Sequence, residues 1–233
     1  MATESFQQCS IIIPVLDDTE SLENLLEQLQ PARQLGHEVI VVDGGSDDAL
    51  ETVCNDRVDF FLSAQAGRAA QMNTGAAAAG GEVFWFLHAD SKLSIEPCIS
   101  QIMALHESEK VWGRFDIHLS GNDRRFRIIE TMMNWRSAMT GIATGDQGIF
   151  INRKTFEHIE GFAQIPLMED IEISKRLKKF CSPLLCSQKI MTSSRRWEKN
   201  GIFRTMLLMW YLRLAYAMGT SPERLSKHYR PCS

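Results

Sequence analysis

The chain has 233 residues, 44% hydrophobic and 23% charged, with 15 glycines and 7 prolines. That composition excludes collagen-like and Pro/Gly-driven disordered classes, and the length can bury a core without disulfide or metal staples. The six cysteines are scattered with no Cys-x-x-Cys pair, so neither a zinc ribbon nor a dithiol redox site is indicated. The start, MATESFQQCS, has no basic stretch followed by an apolar one. No signal peptide is expected, and reduced thiols in a cytosol are the simplest reading. The net charge of -4 conceals an asymmetry: residues 1–174 carry 12 Lys+Arg against 27 Asp+Glu, and residues 175–233 carry 13 against 2. A basic C-terminal quarter implies an anionic partner (nucleic acid, anionic lipid or a phosphorylated substrate) or a tail docked on its own acidic body.

The first half alternates strand and helix. Ser10–Val15 (SIIIPV) is a β-branched run that reads as a buried strand. Leu22, Leu25, Leu26 and Leu29 follow at helical spacing behind Asp17, Asp18 and Thr19, which can cap the start, and Pro31 and Gly36 mark the end. Glu38–Asp43 (EVIVVD) is a second buried strand, broken by Gly44-Gly45-Ser46 and followed by a short helix to Cys54. Val58–Leu62 reads as a third strand, the Ala-rich Gly67–Ala79 as a helix, and Glu82–Leu87 as a fourth strand ending at His88-Ala89-Asp90. This alternation predicts an α/β fold, a parallel sheet with helices on both faces.

After residue 110 the rhythm changes. Val111–Ser120 reads as a half-exposed strand, Arg124–Met139 as a helix and Gly148–Asn152 as a short strand. Glu169–Phe180 opens with carboxylates and closes with Lys178 and Lys179, matching the helix dipole at both ends. Ile202–Gly219 is a strongly apolar helix broken only by Arg204 and Arg213. With no internal repeat and no linker, a single domain over 1–233 is expected.

Ligands of open parallel sheets bind at the carboxyl ends of the strands, so the polar residues there are the candidates. Neither G-x-G-x-x-G nor a P-loop is present, which removes the main support for dinucleotide and P-loop folds. Asp43 must find donors after a buried strand: a base N–H or ribose hydroxyl, or simply the turn at Gly44-Gly45. Asp90 could hold Mg²⁺ or Mn²⁺ with a diphosphate, or cap the segment beginning near Ser94. His88 reads more readily as a core histidine than as a ligand. Glu169-Asp170 is either a helix N-terminus favouring acids or the site of a general base acting on an acceptor hydroxyl. In Ser193-Ser194-Arg195-Arg196-Trp197 the arginines could clamp phosphates, or form a solvated face.

Together these segments resemble a family-2 glycosyltransferase of the GT-A fold. IIIPVLDD is similar to that family's opening strand and loop, and VVDGGSDD to its second-strand motif, which would place Asp43 on the nucleotide base or ribose. Gly67-Arg68-Ala69 with Gln71, Asn73 and Gly75, followed by FWFLHAD, is similar to the middle motif leading into the metal-binding D-x-D. Asp146-Gln147-Gly148 and Glu169-Asp170 resemble the acceptor-side loop and the catalytic-base motif. More narrowly, the chain resembles short single-domain transferases carrying H-A-D, G-R-F-D, G-D-Q-G, P-L-M-E-D and S-S-R-R-W-E. The departure is His88, where the first Asp of D-x-D would stand.

The resemblance implies inverting transfer of a sugar, of the hexosyl class, from a nucleotide-sugar, with a UDP-sugar favoured by family habit. Residues to about 110 would form the nucleotide-binding half, and residues 111–233, with the C-terminal helices, the acceptor half. Donor-binding residues would be Pro14, Asp17, Asp43, Gly45, Arg68, Asn73, His88, Ala89, Asp90, Arg195 and Arg196, with Mn²⁺ or Mg²⁺ at Asp90. Asp170 would be the base, with Glu169 second. Asp146 and Gln147 would hydrogen-bond sugar hydroxyls, and Trp197 would pack on a sugar ring or fill a gap.

Three rivals stand beside this reading. A nucleotidylyltransferase lacks its glycine-rich loop in Pro14–Asp18. A non-catalytic nucleotide-sugar-binding module is favoured by His88 and opposed by Asp90 and Asp170. A nucleic-acid binder has no motif in the basic tail, so no nucleic-acid partner is expected. Ile202–Gly219 either lies in a membrane interface through its basic flanks or covers the sheet as a core helix. The interfacial reading would make the acceptor lipid-linked and place the protein in the cytoplasm at the inner face of the membrane.

Overall fold

The computed structural model describes residues 8–47 and 49–229. Asp48 of VVDGGSDD and Cys232, one of the six cysteines, lie outside them.

The elements run β1 (Cys9–Val15), α1 (Thr19–Gln34), β2 (Glu38–Asp43), α2 (Ala49–Cys54), β3 (Phe60–Ser63), α3 (Arg68–Ala78), β4 (Val83–Phe86) and α4 (Ile95–Glu107). They continue with β5 (Trp112–Leu119), α5 (Arg124–Thr140), β6 (Phe150–Asn152), α6 (Arg153–His158), α7 (Glu169–Leu177), β7 (Leu184–Thr192), α8 (Arg195–Asn200), α9 (Ile202–Ala217) and α10 (Pro222–Ser226). The strands form one seven-stranded sheet in the order β3-β2-β1-β4-β6-β5-β7. β3, β2, β1 and β4 are parallel, β6 is antiparallel to β4 and β5, and β7 pairs parallel with β5. The expected α/β class, a mostly parallel sheet flanked by helices, is the observed one.

The buried runs are buried because both faces are covered. Ile11 and Ile13 of β1 point into a core shared with Leu22, Leu25, Leu26 and Leu29 of α1 and with Ile95, Ile99 and Ile102 of α4. Ile12 points the other way, against Ala69, Met72 and Ala76 of α3 and Ile173 of α7. Each fully buried Leu or Ile contributes about 1.5–3 kcal/mol relative to exposure. Gly75 lets α3 approach the sheet: a Cβ there would sit 2.5 Å from Ile12 Cγ2.

Several expectations change. α1 runs through Pro31 to Gln34, and the Asp18 side chain makes no cap bond to it. β7 went unnoticed because it alternates polar and apolar residues and carries an irregularity opposite Phe115/Asp116. α9 does not cover the sheet: among its residues only Thr205, Leu212 and Ala215 are buried, and the two apolar ones join Met168, Ile171 and Leu225 in a separate small cluster. The core-helix alternative for Ile202–Gly219 is thereby corrected.

Candidate active site

Strand order reverses between β1 and β4, and the loops leaving β1, β2 and β4 converge there. They are tied together by side chains. Ser46 N–H donates to Asp43 Oδ1 and Oδ2 at 2.9 and 3.2 Å. Asp43 therefore holds the turn, as the plainer reading had it, yet a carboxylate has about four acceptor positions and those left can take a ribose hydroxyl. Asp17, at a positive φ of 53°, donates its N–H to Ser46 Oγ at 2.9 Å and so joins the two loops. Gly45, at φ 106°, has open space where a Cβ would stand. Pro14 lies buried in β1, opposite Val42. Beneath the loops the buried Gln71 amide donates to Val15 O at 2.7 Å and Val42 O at 2.8 Å and accepts from Gly67 N–H at 3.3 Å.

Asp90 stands beyond β4 within a cluster of charges. Burial raises its carboxyl, the charge of Asp18 adds to that, and Arg195 and Arg68 oppose it. Arg195 reaches back from the start of α8 to donate to Asp18 Oδ2 at 3.0 Å and Ser21 Oγ at 3.2 Å. The Asp18 carboxylate is thus engaged across 177 residues rather than at its own helix. Arg68 opens α3 behind Gly67, with a guanidinium 3.9 Å from Glu169 Oε1. Burial works against its charge, but Glu169, Tyr229, Asp170 and Asp90 outweigh that and hold Arg68 above the usual arginine range.

The acidic pair opens α7 behind Met168, whose φ of 72° turns the chain sharply. Glu169 is buried, and burial followed by the charge of Asp170 pushes its carboxyl up to about 7 against the pull of Arg68. Asp170 is oriented by the backbone: Gly145 N–H donates to Oδ2 at 2.9 Å and Ile171 N–H to Oδ1 at 2.7 Å. His88 lines a cavity of about 10 Å³ with Met72, Gly145, Phe162, Glu169 and Asp170. Burial, then Arg68, holds its imidazole well below the usual histidine value, so it is neutral at pH 7. A Cβ on Gly145 would lie 2.7 Å from His88 Nε2, which is why the loop passing His88 carries glycine there. Asp146, beside it, is raised chiefly by burial.

Five residues expected at a ligand have protein partners instead. Both polar atoms of the Asn73 amide are taken by the Phe162 backbone, at 2.8 and 2.9 Å. Gln147 is fully buried, its Oε1 accepting from Thr144 N–H at 3.0 Å and its Nε2 donating to Phe115 O at 3.4 Å, so it shapes the loop rather than facing a sugar. The Ala89 methyl belongs to the core. Trp197 packs on Leu119, Phe126 and Ile129, the gap-filling alternative. Arg196 lies 4.2 Å over the Tyr229 ring rather than among the carboxylates.

The model of glycosyl transferase family 2 matches residues 10–160. The chain belongs to that family. Uncharacterized glycosyltransferases from two strains of Mycobacterium tuberculosis are 30% identical over 124 residues, covering 49% of this chain and 47% of theirs. The chain thus spans about half the length of the curated relatives it matches. Among solved structures it is similar to Staphylococcus aureus TarS in complex with UDP-GlcNAc, at TM-score 0.64 and 15% identity, covering 80% of this chain and 58% of that one. It is also similar to the Pyrobaculum calidifontis mannosyltransferase PcManGT with GDP-Man and Mn²⁺, at TM-score 0.62 and 15% identity, covering 94% and 67%. Glucosyl-3-phosphoglycerate synthase of M. tuberculosis with Mn²⁺, UDP and glucosyl-3-phosphoglycerate matches at TM-score 0.60 and 14% identity, covering 90% and 79%. At such identities the likeness is one of fold.

The donor set of this family-2 chain fits a divalent cation that arrives with a diphosphate. Among the described residues no three His, Cys, Asp or Glu side chains converge as a closed cage. Asp90 and Asp18 are close enough for their charges to oppose one another, and a hard cation with substrate oxygens would relieve that repulsion. Gly145 and Met168 stand in the G-D-Q-G and P-L-M-E-D motifs, which name them without a role. Tyr229 reaches the site from beyond α10, which no local pattern announces.

Proposed function

We propose that this chain transfers a hexosyl group, with inversion, from a nucleotide-sugar to an acceptor hydroxyl, with Asp170 as the general base and a UDP-sugar as the first donor to test. It would stand with the short transferases that carry H-A-D. The donor half would extend to about residue 110 and the acceptor half from 111 onward. The observation that carries the reading is the convergence of Asp43, Arg68, Asp90, Arg195 and Glu169-Asp170 around one switch point of the sheet.

In this reading Asp43, Asp17 and Gly45 shape the nucleoside pocket, and Arg68 and Arg195 face the diphosphate. Asp90 would hold the divalent cation, which supplies positive charge to the departing phosphate oxygen. Asp170 takes the acceptor proton as the acceptor oxygen bonds the anomeric carbon. The bond from that carbon to the diphosphate breaks, its electron pair leaving on the phosphate oxygen near Arg68. Glu169 orients Arg68, and neutral His88 fills the place of a second carboxylate without adding charge. Asp146 borders the acceptor.

The test is release of UDP from UDP-sugars, with water as the default acceptor, by wild type and Asp170→Asn. Turnover in the wild type should fall about 10²–10⁴-fold in Asp170→Asn with UDP affinity retained. Wild type that binds UDP but turns over no donor, or an Asp170→Asn variant as fast as wild type, would replace this reading with a binding module or another base.

A further inference from the structure

Nine of the fifteen large hydrophobic side chains exposed among the described residues lie on two helices. On α5, Ile128, Met132, Trp135 and Met139 recur every three or four residues and form one exposed stripe. On α9, Phe203, Leu207, Trp210, Tyr211 and Leu214 form another, extended by Met218 just past the helix end, with Phe203 and Trp210 at 66% and 54% exposure. Each helix spends its other side on the protein. Phe126 and Ile129 of α5 are buried beside Trp197 and Ile202, and Glu130, also buried, accepts from Leu119 N–H at 2.5 Å and pairs with Arg127 at 3.0 Å. The fully buried Arg114 fastens α5 further, donating to Asn134 O at 3.2 Å.

The two helices begin side by side. The beginnings of α5 and α9 border one cleft of about 500 Å³, with Arg125 and Phe126 on one wall and Phe203 and Arg204 on the other. At those beginnings Phe126 and Ile129 of α5 share an apolar cluster with Ile202 of α9.

Charge identifies what covers them. α9 has no carboxylate, and the one on α5, Glu130, is buried. Arg124 and Arg204 are exposed at the helix beginnings, and Lys199 lies just ahead of α9. The carboxylates bordering the cleft, Asp123 and Glu198, are engaged by Arg125 and by Ser194. An apolar stripe with aromatic residues and a basic rim matches the acyl–headgroup boundary of an anionic bilayer. A twofold contact between copies of this face would instead bring basic rims together without acids to answer them. No helix among the described residues is long and apolar enough to cross a membrane.

We propose that α5 and α9 together form a docking face that lies on an anionic lipid surface. The face adjoins the base: Leu212 and Ala215 of α9 pack with Met168 and Ile171, which flank Glu169-Asp170. On the transferase reading, and resting on it, docking would present the hydroxyl of an amphiphilic acceptor to Asp170. Docking itself does not depend on that reading.

The experiment is flotation of the full chain with phosphatidylcholine vesicles, with and without phosphatidylglycerol, alongside tryptophan emission and light scattering. The variants are Phe203→Glu/Leu207→Glu on α9 and Ile128→Glu/Met132→Glu on α5, each checked for native circular dichroism. Wild type should float with the anionic vesicles, less at high salt, with emission shifted to the blue. Each variant pair should lose binding at least about tenfold. Wild type that stays unbound, binds neutral vesicles equally well, or floats unchanged in both variants would overturn the proposal. So would a dimer that the glutamates dissociate without any flotation, since a second copy would then cover the face. Donor turnover is scored separately, so loss of either result leaves the other legible.

Discussion

Replacing Gln71 with leucine removes a side chain that joins the ends of β1 and β2 from below. Two good bonds disappear, from Nε2 to Val15 O at 2.7 Å and to Val42 O at 2.8 Å, with a longer third from Gly67 N–H at 3.3 Å. Val15 O keeps the Gly44 N–H at 2.9 Å, so it is not orphaned. Val42 O likewise keeps the ladder donor that its parallel pairing with β1 supplies. Two buried hydrogen bonds are worth about 1 kcal/mol each, so the expected loss is about 2 kcal/mol. For a chain of this size that corresponds to a Tm lower by about 4–8 °C. Urea denaturation followed by circular dichroism should show a lower midpoint at constant slope. Gly44 packs against this amide, with its Cβ position 3.1 Å from Gln71 Nε2, so the loops should loosen and UDP affinity should fall as well. A loss below about 1 kcal/mol would refute the reasoning, because it would mean that other donors or water serve those carbonyls equally well.

Asn73→Ala removes both bonds to the Phe162 backbone and should cost about 1–2 kcal/mol in denaturant unfolding while leaving UDP affinity within a few-fold. A large affinity loss at unchanged stability would return Asn73 to the donor. Glu169 gives a pH dependence with a definite sign. Its folded carboxyl titrates at about 7, above the ordinary 4.5, so the folded state favours the proton. The stability it contributes is complete below about 4.5 and is lost as pH rises through about 7, with a slope of at most about 1.4 kcal/mol per pH unit. Glu169→Gln should flatten that part of the unfolding free energy measured from pH 5 to 8; an unchanged slope would assign it to another group.

The central sheet was legible where chemistry is local. SIIIPV and EVIVVD are apolar runs with turn residues after them, and burial on both faces leaves them no alternative. The edge was not, because β7 alternates polar and apolar residues and pairs only with β5 among the named strands, so its identity depends on a partner some seventy residues away in the chain. The acidic residues of the site were legible as loop residues at strand ends. Their division of labour was not. Asp18 stands where a helix cap would, yet Arg195 engages it from 177 residues away. Asn73 and Gln147 look like sugar-binding amides, but each is consumed by backbone that the fold brings to it. α9 is apolar on nearly every side, so its composition could not say which side the protein would leave uncovered. Only the positions of Leu212 and Ala215 against Met168 and Ile171 decide that.

The account stands most directly on nucleotide binding at Asp90. Calorimetric titration of UDP and of GDP, with and without Mn²⁺, into wild type and Asp90→Ala tests it. One nucleotide should bind wild type in the presence of metal, at least about tenfold more weakly without metal and likewise in Asp90→Ala. Failure of both nucleotides to bind under any metal condition, or an Asp90→Ala variant that binds as wild type does, would contradict it.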